Sequence, residues 1–276
     1  MIELDGSKYE GGGAILRVAT ALSIVTQKSC HVFDIRRGRP KPGLMTQHLL
    51  GIRALNELCQ GELKGDELGS EEIWFSPKKI QAKDIQVKIE TAGSISLILQ
   101  SLILPCLFAP SPVKVSFRGG ATDTFFSPTI DYFRYVFLRI LEKMIQKKVA
   151  DIKIKKRGFY PEGGAEVEMK IYPTKLNPLN LTERGSLKKI TIISGASEFL
   201  KEKKVAERQV AGVKEVLGKF KLPIEERLEY YKTQSPGSQI NLVGHFENTT
   251  IGVDNLGKLG KSAEEVGRET AKNFIQ

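Results

Sequence analysis

"YEGGGAILR" (residues 9–17) and "TAGSISLILQ" (residues 91–100) decide how this chain is read. Each closes an extended stretch, places small residues where a helix would begin, and leads into an apolar segment with three- and four-residue steps. Ile2–Leu4, Ile15–Val25, His31–Ile35, Leu44–Cys59 and Ile73–Phe75 read in order as strand, helix, strand, helix and strand. Ile85–Ile89, Ile95–Phe108, Val113–Phe117, Ile130–Ile145 and Asp151–Lys155 repeat that order, and a further strand, Ala165–Ile171, follows. Setting Glu10 beside Glu90 and Gly13 beside Gly93 aligns the halves at a shift of eighty positions, so a duplicated supersecondary unit is expected. Two copies that each carry one apolar sheet face pack most economically around one shared core.

Beyond Gly185 the pattern changes. A strand (Lys188–Ser194), a charged helix (Glu202–Phe220), extended stretches at Glu226–Tyr231 and Gln239–Phe246, and a final helix (Ser262–Ile275) describe a small α+β domain. Its helices are amphipathic and lysine-rich, which a solvated face explains better than a binding surface.

Composition narrows the function classes. The 276 residues are 41% hydrophobic and 27% charged, enough for a buried core in one large or two moderate domains. Cys30, Cys59 and Cys106 stand far apart, with no CxxC pair or disulfide framework, which fits a reducing cytoplasm. Neither a signal peptide nor a membrane span is legible, since the longest apolar run, Ile95–Phe108, contains Gln100 and Ser101. The formal charge of +10 favours polyanionic partners without specifying one.

Gly11–Gly13 before a helix suit an anion, because helix N-termini carry unpaired N–H groups and partial positive charge. Arg17, four residues after Gly13, lies on the same helical face. Glu10 would repel bare phosphate unless a divalent cation stood between them. The alternative is a tight turn with a solvated Glu10; no GK[ST] or GxGxxG is present. "RRGRPKPG" (36–43) crowds Arg36, Arg37, Arg39 and Lys41 onto a backbone stiffened by proline, and reads as a second phosphate site or as a solvated basic loop. Gln100, on an otherwise apolar helix, either reads a ligand or bonds another helix. Phe125, Phe126, Tyr132 and Phe133 offer rings beside a loop, with core packing expected for most. His31 and His245 read as structural; His48 is the histidine near the arginine loop, and none has metal-ligand spacing.

Together "DGSKYEGGGAILR", "IRRGRPKPGLMTQH", "TAGSISLILQ" and "RGFYPEGGAEV" resemble the RNA 3'-terminal phosphate cyclase family, in order and at family-like spacing. The resemblance implies an α+β fold: tandem βαβαββ repeats in a pseudo-symmetric large domain (residues 1–184), similar to that of enolpyruvyl transferases, then a small inserted α+β domain (residues 185–276). It implies a ligase-type reaction in which ATP adenylylates an enzyme histidine, AMP passes to the 3'-terminal phosphate of an RNA, and the neighbouring 2'-hydroxyl expels AMP to close a 2',3'-cyclic phosphate. ATP and a divalent metal, Mg or Mn, are the implied cofactors; an RNA with a 3'-terminal phosphate is the partner, with no requirement for DNA or a membrane. By motif, Glu10 would hold metal or the ATP ribose, Gln100 the adenylate, and Tyr132 the adenine. Arg17, Arg36, Arg39 and Gln47 would bind ATP and RNA phosphates. The family's nucleophilic histidine matches none of the three here and is expected beyond Gln276, with the rest of the large domain. A non-catalytic RNA-binding or ribosome-biogenesis factor of the same family is the first rival reading. An enolpyruvyl-transferase-like enzyme is the second, and it leaves "RRGRPKPGLMTQH" unexplained.

Overall fold

The parallel pairing of β1 (Ile2–Asp5) with β2 (Cys30–Phe33) needs a crossover, and α1 (Ala14–Thr26) supplies it. In the computed structural model, which describes residues 1–9, 11–218 and 220–276, α2 (Thr46–Cys59) then leads to β3 (Glu62–Lys64) and β4 (Ile73–Ser76). β4 lies antiparallel between β2 and β3, so the sheet order is β1-β2-β4-β3.

The second unit repeats this. β5 (Ile85–Ser94) pairs in parallel with β6 (Val113–Ala121) across α3 (Ile95–Leu107). A helical stretch follows: α4 (Ile130–Tyr132), a π-helical turn (Phe133–Phe137) and α5 (Leu138–Ile145). β7 (Ala150–Lys156) and β8 (Glu166–Ile171) complete a sheet of order β5-β6-β8-β7 with the same parallel and antiparallel pairings. Both units are therefore βαβαββ. α1 and α3 each span 13 residues, and their starts, Ala14 and Ile95, lie 81 positions apart (95 − 14).

One sheet face in each unit is apolar. Ile85, Val87 and Ile89 are buried while Gln86, Lys88 and Glu90 are exposed, the two-residue alternation of a half-covered sheet. Those faces and α1, α2 and α3 share a single core from Leu16 to Ile171. α3 is apolar nearly all round because it lies in the middle of it.

The third unit has its own core and a different order. β9 (Leu187–Ser197), α6 (Val205–Leu217), β10 (Ile224–Tyr231), β11 (Ser238–Phe246), β12 (Thr250–Leu256) and α7 (Ala263–Ile275) build a sheet ordered β10-β9-β11-β12. Ile190, Ile192, Val213, Leu217, Ile240 and Leu242 fill the space under the two helices. Gly212 and Gly267 let those helices touch, since a β-carbon on either would strike the backbone of Glu264 or Gln209.

Buried polar groups join the third unit to the second. The Arg157 guanidinium donates to Asp123 Oδ2 at 3.1 Å and to Asp131 Oδ2 at 2.5 Å, and Gln239 Nε2 donates to the same Asp131 oxygen at 3.2 Å. Thr129 gives its amide to Asp254 (2.6 Å) and its hydroxyl to Asn241 (2.7 Å). Burial alone would pull the Arg157 pKa down, but the Asp131 and Asp123 carboxylates outweigh it and hold the pKa above its ordinary value.

The elements the sequence pattern passes over are β3 and β12: β3 has three residues, two of them charged, and β12 carries Gly252, Asp254 and Asn255. The expected helix Glu202–Phe220 starts only at Val205, after Lys204 turns left-handed at φ 49°, and its expected end runs over Lys219, which lies outside the described residues.

Candidate functional site

Three helix N-termini meet at one place. α1 begins after Gly13, which has no side chain to cap the first amides. His48, the third residue of α2, lies against that glycine: a β-carbon on Gly13 would overlap His48 Nε2 and Cδ2. The next contact reaches α3, where Gln47 Oε1 accepts the amide of Ser94 at 3.1 Å. Ser94 is the N-cap of α3 and accepts the Leu97 amide at 3.3 Å. Amides and the positive ends of three macrodipoles thus converge where residues of both repeats touch, a ready site for an anion.

Guanidinium groups surround it. The His48 pKa is lowered to about 4, first by burial and then by the positive charges of Arg36 and Arg17. Arg36 itself is held below its ordinary value by burial and by Arg39 beside it. Arg36 adopts a left-handed backbone (φ 57°) and turns one guanidinium nitrogen onto the carbonyls of Lys41 (2.7 Å) and Gly43 (2.8 Å). It therefore braces the arginine loop from within, which the density of positive charge in the sequence does not reveal. Cations gathered and partly desolvated in this way are stabilised by a bound anion.

The expected residues are distributed as follows. Arg17, Arg36, Arg39 and Gln47 fall at the meeting of helices or on the loop beside it. Gln100 is half-buried one turn along α3 from Ser96, and its amide makes no hydrogen bond among the described residues. The Ser96 hydroxyl donates to Pro128 O at 2.6 Å, tying this face of α3 to the loop that precedes α4. Tyr132 sits at the seam with the third unit, packed on Val136, Ile193 and Val243, its hydroxyl pKa raised by burial and by Asp254. Of the other rings, Phe133 is fully buried and Phe126 fully exposed. Glu10 lies outside the described residues. Among those that are described, no group of three or more His, Cys, Asp or Glu side chains could hold a metal ion.

His31 stacks on Trp74 with ring centres 4.4 Å apart, and His245 Nε2 pairs with the Thr191 hydroxyl at 2.9 Å, so both have structural partners. The site residues missed by sequence reasoning are Ser94 and His48. An N-cap serine three residues before a leucine in an apolar run is a legible signal; the contact of His48 with a glycine 35 positions earlier is not.

A cleft of about 780 Å³ lies away from the helix N-termini, between β7 and β10, with Lys153, Lys155, Lys156 and Lys232 along it. No helix is long and apolar enough to cross a membrane among the described residues.

A family model described as RNA 3'-terminal phosphate cyclase matches residues 8–270. Similar chains of that name occur in Ignicoccus hospitalis (44% identical), Pyrococcus abyssi (42%) and Sulfurisphaera tokodaii (45%). Each alignment covers all of this chain and 79%, 80% and 80% of the relative, respectively.

Proposed function

This chain belongs to the RNA 3'-terminal phosphate cyclase family, and from that premise we propose that it handles the nucleotide and RNA phosphates in ATP-dependent closure of a 2',3'-cyclic phosphate. The observation that carries the proposal is the convergence of three helix N-termini, joined by His48 against Gly13 and by Gln47 on Ser94, with Arg17 and Arg36 around them.

A phosphate monoester resists attack until it carries a good leaving group. ATP supplies one, as AMP attached through a phosphoanhydride. The terminal 2'-oxygen then attacks the 3'-phosphorus; the new P–O2' bond forms as the anhydride P–O bond to AMP breaks, and the hydroxyl proton passes to solvent. Fixed amides and guanidinium groups stabilise the charge that gathers on phosphoryl oxygens in this step. Arg17 and the first amides of α1 hold the nucleotide phosphates, and Arg36, Arg39 and Gln47 the RNA phosphate. Gln100 and Tyr132 contact the adenylate. A divalent metal would offset polyphosphate charge, and Glu10 is its proposed ligand.

None of the three histidines has the surroundings of an AMP acceptor, since His31 and His245 are engaged structurally and His48 is buried. The histidine that takes AMP is therefore assigned to none of these positions. The test bypasses it. RNA ending in a separately prepared 3'-diphosphate-adenylate should be cyclised by this chain, with release of AMP, well above the rate in buffer. Gly13→Ala, which drives a methyl group into His48, should lose most of that acceleration. Conversion no faster than in buffer would refute the proposal and leave the non-catalytic RNA-binding reading.

A further inference from the structure

His48 closes the motif "IRRGRPKPGLMTQH" and is not needed as a nucleophile, yet it is only 6% exposed at the point where α1 and α2 meet. A buried imidazole held in one orientation has a definite donor and a definite acceptor. The Met45 amide donates to Nδ1 at 3.2 Å, closing the first turn of α2, so Nδ1 carries the lone pair and Nε2 the proton. Nε2 lies against Gly13, the residue whose missing side chain leaves the start of α1 open.

We propose that His48 is an uncharged phosphate ligand, its Nε2–H donating to a phosphate oxygen held at the N-terminus of α1 while the Met45 amide fixes the tautomer. The proposal rests on the phosphate-handling reading above and adds to it a residue and a charge state. The charged groups that bear on the imidazole among the described residues are Arg17 from α1 and Arg36 from the arginine loop; both disfavour a third positive charge, as does burial. A neutral donor completes the coordination of an oxyanion without that penalty. Gly13 follows from the same geometry, because any side chain there would occupy the space between imidazole and helix.

Sulfate is a suitable probe, since its charge is constant from pH 5 to 8 and any pH dependence belongs to the protein. Sulfate binding to the full chain, measured by calorimetry, should be about tenfold weaker in His48→Ala, a charge-assisted hydrogen bond lost. His48→Gln, which keeps an N–H near the Nε2 position, should retain most of the affinity. Thermal unfolding of both variants shows whether the folded state is kept. Nitrogen NMR of ring-labelled histidine, with His48→Gln identifying the signal, should show Nδ1 without a proton and Nε2 with one, unchanged from pH 5.5 to 8.

Equal affinity in folded His48→Ala and wild type would overturn the proposal. So would a His48 signal that titrates near pH 6.5, or sulfate affinity that rises through that range as pH falls. If the wild-type chain cyclises adenylylated RNA while His48→Ala binds sulfate normally, the His48 assignment falls and the cyclase reading stands. If the wild-type chain neither binds sulfate nor cyclises, both fall.

Discussion

His48 shows how far single residues could be read in advance. Its nearness to the arginine loop is plain from position 48, but its neutrality is not, because that depends on burial and on Arg17 brought in by a different helix. The consequence for stability has a definite sign. Its folded pKa of about 4 lies below its ordinary 6.5, so the unfolded chain takes up the proton first as pH falls. Stability from this group is complete above about pH 6.5 and is lost as pH falls toward 4, by about 3 kcal/mol in all. Urea unfolding of wild type and His48→Gln between pH 7 and 4.5 should show the wild type losing more; parallel curves would contradict this. Arg36 gives the opposite lesson. Its place in a dense basic loop suggests a phosphate ligand, whereas the folded chain also spends it on the carbonyls of Lys41 and Gly43.

At the level of elements, repetition was the most legible feature. Small residues before two apolar segments locate α1 and α3, and the folded units share strand order and pairing sense. The short edge strand β3 was not legible, because three residues with two charges carry no periodicity and are recruited by pairing with β4. The π-helical turn at Phe133–Phe137 likewise leaves no mark in an apolar pattern that continues across it. Ser94 is where element and site coincide, since it caps α3 and also receives Gln47. Ser94→Ala should cost about 1 kcal/mol in denaturant unfolding, while the Gln47 contact, made to the backbone amide, persists. A loss below a few tenths of a kcal/mol would mean that Ser96 takes over the cap.

For the molecule as a whole, the change of pattern near Gly185 says nothing of how the third unit is fixed to the others. That information lies in Asp123, Asp131, Arg157, Gln239 and Asn241, which are scattered along the chain and unremarkable one by one. Arg157 is the member that matters most. Removing it strands two buried carboxylates, one of them, Asp123, already raised above its ordinary pKa by burial against the pull of Arg157. Arg157→Met should destabilise the chain by about 3 kcal/mol or more and split its thermal unfolding into two steps as the third unit comes loose. A single transition at the wild-type temperature would show that apolar packing at Val136, Ile193 and Val243 is sufficient.

The Gln47–Ser94 contact crosses from one copy of the duplicated unit to the other. Grip on a ligand is thereby geared to how firmly the two copies are seated together. Warming that loosens this seat should relax the hold on anions more steeply than the enthalpy of the individual bonds predicts, and an occupied pocket acts in return as a rivet between the halves.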